Sequence, residues 1–278
     1  MEHVKDNIYA EFISPGCNVG IITTPKGTVI VDTPLMSHQA RSIADELSAG
    51  NHCPVRFVIM SHGHGDHILG TDLFGEDVTV FGNAMTRERM RRYDPAWVRW
   101  WAETWRWENQ EEVEEMASAH ISLPEVVFKE TLSLVFSDTE IRLFPLPGHI
   151  EESVGVFMPQ SGVLITGDTL FCGHHPYMGE ANFKVWLQSL DRMRELKASC
   201  IIPGHGPACG YEAVDRQQQY MEKMMAVRSR WNPEAGAAAI PEDALDELVA
   251  FYPLHGRPVA DMRARVVESI RIAGEPQF

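Results

Sequence analysis

Four side chains able to bind a metal ion stand within six positions, His62, His64, Asp66 and His67, in the run Ser-His-Gly-His-Gly-Asp-His. Imidazole nitrogen and carboxylate oxygen are ligands that zinc, iron and manganese accept. Glycines at 63 and 65 let the backbone bend, so alternate side chains can converge on one point. Three more candidates follow in short, glycine-marked segments: Leu-Pro-Gly-His149, Thr-Gly-Asp168-Thr and Ile-Pro-Gly-His205-Gly. Together the seven point to metal-ion catalysis, in which bound cations acidify water and polarise an electrophile without a serine or cysteine nucleophile. Isolated histidines such as His120 and His255 read as ordinary surface or core residues.

The elements around these residues are those that would place them. Val55–Met60 is a nearly continuous apolar run, as expected of a strand buried on both faces, and it feeds directly into the first cluster. Before it, 7–13, 18–24 and 28–32 read as short strands, and Pro-Lys-Gly at 25–27 as a hairpin signal. A helix is expected from Ser37, its N-cap, to Gly50, with Ile43, Ala44 and Leu47 buried. The pattern then repeats: strands at 141–145, 153–158 and 162–166, a helix over 182–196, and a last strand over 200–203. In α/β folds, residues just beyond strand ends gather on one edge of the sheet, where sites form. Four strand exits that each end in a ligand residue therefore predict one shared site. Beyond Gly210 the strand signals stop. Segments 211–231, 241–252 and 258–273 read as helices joined by the flexible stretch 232–240.

In this order, His-x-His-x-Asp-His, Pro-Gly-His, Gly-Asp-Thr and Pro-Gly-His-Gly resemble the metallo-β-lactamase-fold hydrolase superfamily, over roughly residues 7–210. The resemblance implies an α/β fold, a four-layer αββα sandwich of two mixed sheets flanked by helices. Residues 1–210 would form the catalytic domain, including a Trp-rich helical insertion at 84–120, and 211–278 a helical C-terminal extension. It also implies that His62, His64 and His149 hold one metal, that Asp66, His67 and His205 hold the second, and that Asp168 bridges them. Two divalent ions, Zn2+ before Fe or Mn, would share a hydroxide oriented by Asp66 and Asp168, the catalytic carboxylates. Asp32, at a strand end, matches an aspartate frequent there in the family; it either orients a ligand histidine or caps the following helix.

Departures from the subfamilies narrow the activity. β-Lactamases of this fold lack the bridging aspartate that Asp168 would supply, and flavo-diiron proteins carry a glutamate where His64 stands. Gly-Asp168-Thr-Leu-Phe resembles hydroxyacylglutathione hydrolases, but Cys172-Gly-His-His-Pro-Tyr lacks the arginine of their glutathione-binding segment. Quorum-sensing lactonases have a tyrosine where Phe171 stands. The expectation is hydrolysis of a small ester-like molecule: a thioester, lactone, aryl ester or related activated bond. The alternatives are a mononuclear iron oxygenase resembling persulfide dioxygenases and a phosphodiesterase of the same fold.

Between the two halves, residues 93–120 hold five of the seven tryptophans. Asp94-Pro95 is a helix start, a capping carboxylate followed by proline at the first helical position. At helical spacing Trp97, Trp100, Trp101, Trp105 and Trp107 cover an arc of about 160°, opposite Arg99, Glu103 and Arg106. The helix either packs into the core or forms a lid whose Trp97 and Trp101 contact an apolar substrate group. His174, His175 and Tyr177 follow Asp168 on a loop and are further candidates for substrate contact.

Composition restricts partners and address. Lys plus Arg number 24 against 39 Asp plus Glu, a formal net charge of −15, which repels nucleic acid and anionic membrane surfaces. A small molecule is the expected partner, and a homo-oligomer is compatible with the sequence. Cys17, Cys53, Cys172, Cys200 and Cys209 are scattered without a Cys-x-x-Cys pair, which argues against a disulfide scaffold. With no secretory signal and no long apolar run, the expected location is the cytoplasm.

Overall fold

Short runs rich in Val and Ile pair into two sheets because several of them are apolar on both faces and must be covered twice. A computed structural model describes residues 1–13, 16–105, 109–231, 240–275 and 278. The first sheet contains β1 (Glu2–Lys5), β2 (Ile8–Glu11), β3 (Val19–Ile22), β4 (Thr28–Val31), β5 (Val55–Ile59), β6 (Thr79–Asn83) and β7 (Val126–Phe128), neighbours in that order. Strands β1 to β4 pair antiparallel, and β4 to β7 pair parallel. The second sheet has the order β12-β11-β10-β9-β8, from β8 (Leu132–Phe136), β9 (Thr139–Pro145), β10 (Val154–Met158), β11 (Val163–Ile165) and β12 (Cys200–Ile202). Only its β11–β12 pair is parallel.

Three apolar layers hold the sandwich together. Between the sheets, Ile8, Val31, Ile59 and Phe81 pack against Leu143, Val156, Ile165 and Ile202. On the outer face of the first sheet lie α1 (Ser37–Ala49), the single turn α2 (Gly65–Ile68), α3 (Ala84–Met90), α4 (Pro95–Thr104) and α5 (Gln110–Ala117). Ile43 and Leu47 of α1 share that layer with Val98, Trp101 and Met116. The second sheet is covered by α6 (Phe183–Glu195), α7 (Tyr211–Arg228), α8 (Glu242–Val249) and α9 (Val259–Ile272), through Trp186, Tyr220, Leu248 and Ile270. The expected αββα architecture is therefore present, with the three C-terminal helices forming part of the outer layer.

Two local readings change. Helix α1 begins at Ser37, but Met36 is its cap residue and Gln39 Oε1 accepts from the Met36 N–H at 3.0 Å. The Trp-rich segment forms two helices, α4 and α5, rather than one. Its start is as read, since the Asp94 side chain accepts from the Trp97 N–H at 2.8 Å with Pro95 in the first turn. Arg106 and Trp107, and all but the last residue of the stretch 232–240, lie outside the described residues. No helix among the described residues is long and apolar enough to cross a membrane.

Candidate metal centre

Each candidate ligand leaves a strand at the same edge of the sandwich. His62 follows β5, and α2 then turns Asp66 and His67 inward with all four of its residues buried. His149, Asp168 and His205 follow β9, β11 and β12. The first sheet thus supplies four of the side chains and the second sheet three. Gly65 is needed for packing as well as bending, because a Cβ there would lie 2.5 Å from the Trp101 indole.

In the first group, His62 Nε2 lies 3.1 Å from His64 Nδ1, and His149 Nε2 lies 2.9 Å from the same atom. The outer nitrogens decide what faces inward. Ser61 Oγ donates to Asp32 Oδ2 at 2.7 Å, so at 2.9 Å it accepts from His62 Nδ1–H. The Tyr177 carbonyl, which can only accept, holds His149 Nδ1–H at 3.0 Å. Both Nε2 atoms are therefore lone pairs aimed at one point, an arrangement that suits a cation. Burial, together with the neighbouring histidines, keeps His62 well below its ordinary pKa; burial holds His149 down at about 3.

The second group is bound to the first through Asp168. Its Oδ2 lies 3.6 Å from His149 Nε2, while its Oδ1 lies 3.1 Å from His67 Nε2 and 3.3 Å from His205 Nε2. Asp66 Oδ2 completes the group, 3.4 Å from His205 Nε2 and 3.7 Å from His67 Nε2. His67 Nε2 and Asp168 Oδ1 are buried atoms without a hydrogen-bond partner, which a metal would satisfy. Burial opposes charging of His67 and His205. Around His67, Cys17 and the carboxylates of Asp168, Asp32 and Asp66 outweigh it, and its pKa is raised well above normal. Asp168 and Asp66 raise His205 to about 9. Burial likewise pushes Asp66 and Asp168 up, but His67 and His205 leave both below the usual carboxylate range. Protons and carboxylates here stand where a cation and its ligands would.

Of the other expected residues, Asp32 accepts from His67 Nδ1 at 2.8 Å and from the Ser61 N–H at 2.7 Å, so it touches the supports of both groups. Tyr177 sits beside His64 and His149, with ring centroids 5.7 and 6.1 Å away. His174 stacks on His255 at 3.9 Å, and burial with that neighbour lowers its pKa to about 4. His175 turns away from the centre: it is buried between Tyr220 Oη at 2.8 Å and the Val249 carbonyl at 3.2 Å. Trp101 packs in the outer apolar layer against the back of Gly65, and Trp97 stacks on Tyr93 at 3.7 Å beside the same layer. This revises the lid expectation for Trp101, which is buried in that layer, while Trp97 is half-buried beside it. Trp100 is the exposed indole of α4, at 58%.

Several supports carry no motif. Buried Asn18 donates to the carbonyls of Pro203 and Gly206 at 2.8 and 2.6 Å, bracing the turn that bears His205. Phe171 stacks on the His205 ring at 5.2 Å. From α9, the Arg265 guanidinium lies 5.5 Å from the centre of the Tyr177 ring, and its buried Nε has no hydrogen-bond partner. Only Ser61, adjacent to the cluster, could have been found from spacing.

Comparison with known proteins agrees with this geometry. A linear primary-alkylsulfatase from Pseudomonas sp. (strain ATCC 19151) is 27% identical over 227 residues, 70% of this chain and 42% of that protein. A beta-lactamase-like protein 2 homolog from Caenorhabditis elegans is 23% identical over 223 residues, 77% of this chain and 63% of the relative. The chain thus spans less than two thirds of either relative's length. Among solved structures, a metallo-beta-lactamase family protein from Thermus thermophilus superposes with a TM-score of 0.65 at 19% identity, covering 98% of this chain and 97% of the other. The DIM-1 metallo-beta-lactamase superposes with a TM-score of 0.60 at 19% identity, covering 78% of this chain and 94% of that one. The family model of the metallo-beta-lactamase superfamily matches residues 15–205, the span that contains both ligand groups, and the chain belongs to that superfamily.

Proposed function

We propose that this protein is a hydrolase that holds two divalent ions, most readily Zn2+, and cleaves a small ester-like substrate such as a thioester, lactone or aryl ester. The observation that carries the reading is the pair of ligand groups joined by Asp168, whose two oxygens face different histidines. His62, His64 and His149 would hold one ion, and Asp66, His67 and His205 the other. Ions held there supply an acidified water and a polarised electrophile near neutral pH. The chain's own part is to fix that chemistry in place. Asp66 and Asp168 would orient the attacking water. Asp32 and Ser61 keep the rings of His67 and His62 from turning. Tyr177 lines the approach beside His64.

Relatives named as an alkylsulfatase and as beta-lactamases support hydrolysis as the reaction class. The deciding experiment is elemental analysis of purified protein combined with turnover of a thioester, a lactone and an aryl ester before and after chelation. Two ions per chain, with turnover lost on chelation and restored by zinc, is the expected result. One iron per chain, with oxygen consumed and no hydrolysis, would replace this reading by an oxygenase.

A further inference from the structure

Among the three histidines of the first group, His64 is oriented the other way round. It turns Nδ1 toward the common point and Nε2 outward, whereas His62 and His149 turn Nε2 inward. Its outer nitrogen meets Glu180 Oε1 at 3.1 Å. The other carboxylate oxygen of Glu180 accepts from Arg89 Nη1 at 2.9 Å, and Arg89 Nε is ion-paired with the buried Glu152. Arg89 belongs to α3, in the segment between the two strand-rich halves, while Glu180 lies just before α6. The ring of His64 is thus gripped from outside the centre by a carboxylate that is itself anchored.

We propose that Glu180, held by Arg89, is the positioning residue for His64: it accepts the Nε2 proton and so directs the Nδ1 lone pair at the metal. The inference rests on the metal reading above. A carboxylate oxygen can only accept, so the proton of a neutral His64 stays on Nε2 while Glu180 is present. Without Glu180 the ring loses this preference, and the other tautomer would point an N–H at the metal. His62 and His149 rely on a serine hydroxyl and a backbone carbonyl for the same service, both neutral acceptors. Of the three outer nitrogens, that of His64 is the one held by a carboxylate. Arg89 fixes the carboxylate's position through a second oxygen, leaving Oε1 free for His64.

Glu180 is 43% exposed, so replacing it leaves no buried cavity. The test uses full-length protein stripped by chelator and titrated with Co2+, following the visible spectrum and the stoichiometry, with thermal unfolding of the stripped protein as a control. Wild type should bind two Co2+ ions. Glu180→Ala should bind one of them 10- to 100-fold more weakly, with an altered spectrum for that ion, while the stripped protein unfolds within a few degrees of wild type. Glu180→Gln, which keeps an acceptor oxygen but loses the charge, should fall between the two. Wild-type affinity and spectrum in both variants would overturn the role of Glu180. Wild-type protein that takes up fewer than two Co2+ ions would instead overturn the metal reading beneath it.

Discussion

His67 Nδ1 and Asp32 Oδ2 lie 2.8 Å apart, wholly buried, and the same carboxylate also holds Ser61, the support of His62. One side chain therefore steadies a ligand in each group. Asp32→Asn keeps the size but loses the charge and cannot accept every one of these hydrogen bonds in the same arrangement. Metal affinity should fall about 10- to 100-fold. Competition with a chromophoric chelator measures it, and affinity equal to wild type at both ions would remove Asp32 from the account.

Asp66→Ala should abolish turnover and empty the second ion position while the fold survives. The carboxylate faces His205 and His67, not the apolar layers. Activity, metal content and far-ultraviolet circular dichroism on one sample test this together. Turnover near the wild-type rate would remove the proposed role.

Proton release should accompany metal binding. With His205 raised to about 9 and His67 raised well above its ordinary value, both rings are protonated at pH 7 in stripped protein, and a metal takes the neutral ring. Apparent affinity should therefore climb as pH rises toward 9. The stability linkage of the stripped protein runs the opposite way. The stabilisation that His205 gains in stripped protein is complete below about pH 6.5, its unfolded value, and is lost as pH rises through 9. Calorimetric titrations in buffers of different ionisation enthalpy report the released protons, and a heat independent of buffer would contradict the assignment.

Trp101→Ala should cost about 3–5 kcal/mol, because the indole is buried in the layer beneath α4. Trp100→Ala should stay within about 0.5 kcal/mol, since Trp100 faces solvent. Urea unfolding distinguishes them. Equal effects would mean that α4 sits on the sheet in another rotation.

Arg265 has no ion pair among the described residues, and burial lowers it to about 10, so it remains charged near neutral pH. A cation beside Tyr177 would favour substrates that carry a negative group. Arg265→Met should raise the KM of an anionic aryl hemisuccinate at least tenfold more than that of the neutral acetate. An unchanged ratio of the two would show that Arg265 serves packing alone.

The cluster of seven side chains was legible because its chemistry is concentrated: four in one loop, and the rest marked by glycines at strand exits. Buried strands such as β5 and β10 were legible as apolar runs. Four strands were not. In β8 the pattern alternates between half-buried and exposed, β7 has three residues, and β1 is largely open to solvent, so none offers a strong periodic signal. Buried β6 was masked by the glycine and asparagine at its end. The aromatic arc was ambiguous because an apolar face has the same spacing whether it lines a mouth or a core. Glu180, Arg89 and Asn18 stayed invisible for another reason: each acts on a partner more than 20 residues away, and one sequence carries no record of such pairs.

That the centre draws on both sheets has a consequence for biosynthesis. Four of the seven side chains have been synthesised by residue 67, but His205 follows only after every strand of the second sheet. At ordinary translation speed that interval is roughly ten seconds. During it the nascent chain carries the histidine-rich loop without the complete set of the other three side chains. The full arrangement of seven side chains exists only once β12 has docked. On the proposed metal reading, the choice of ion would be deferred until folding is almost finished.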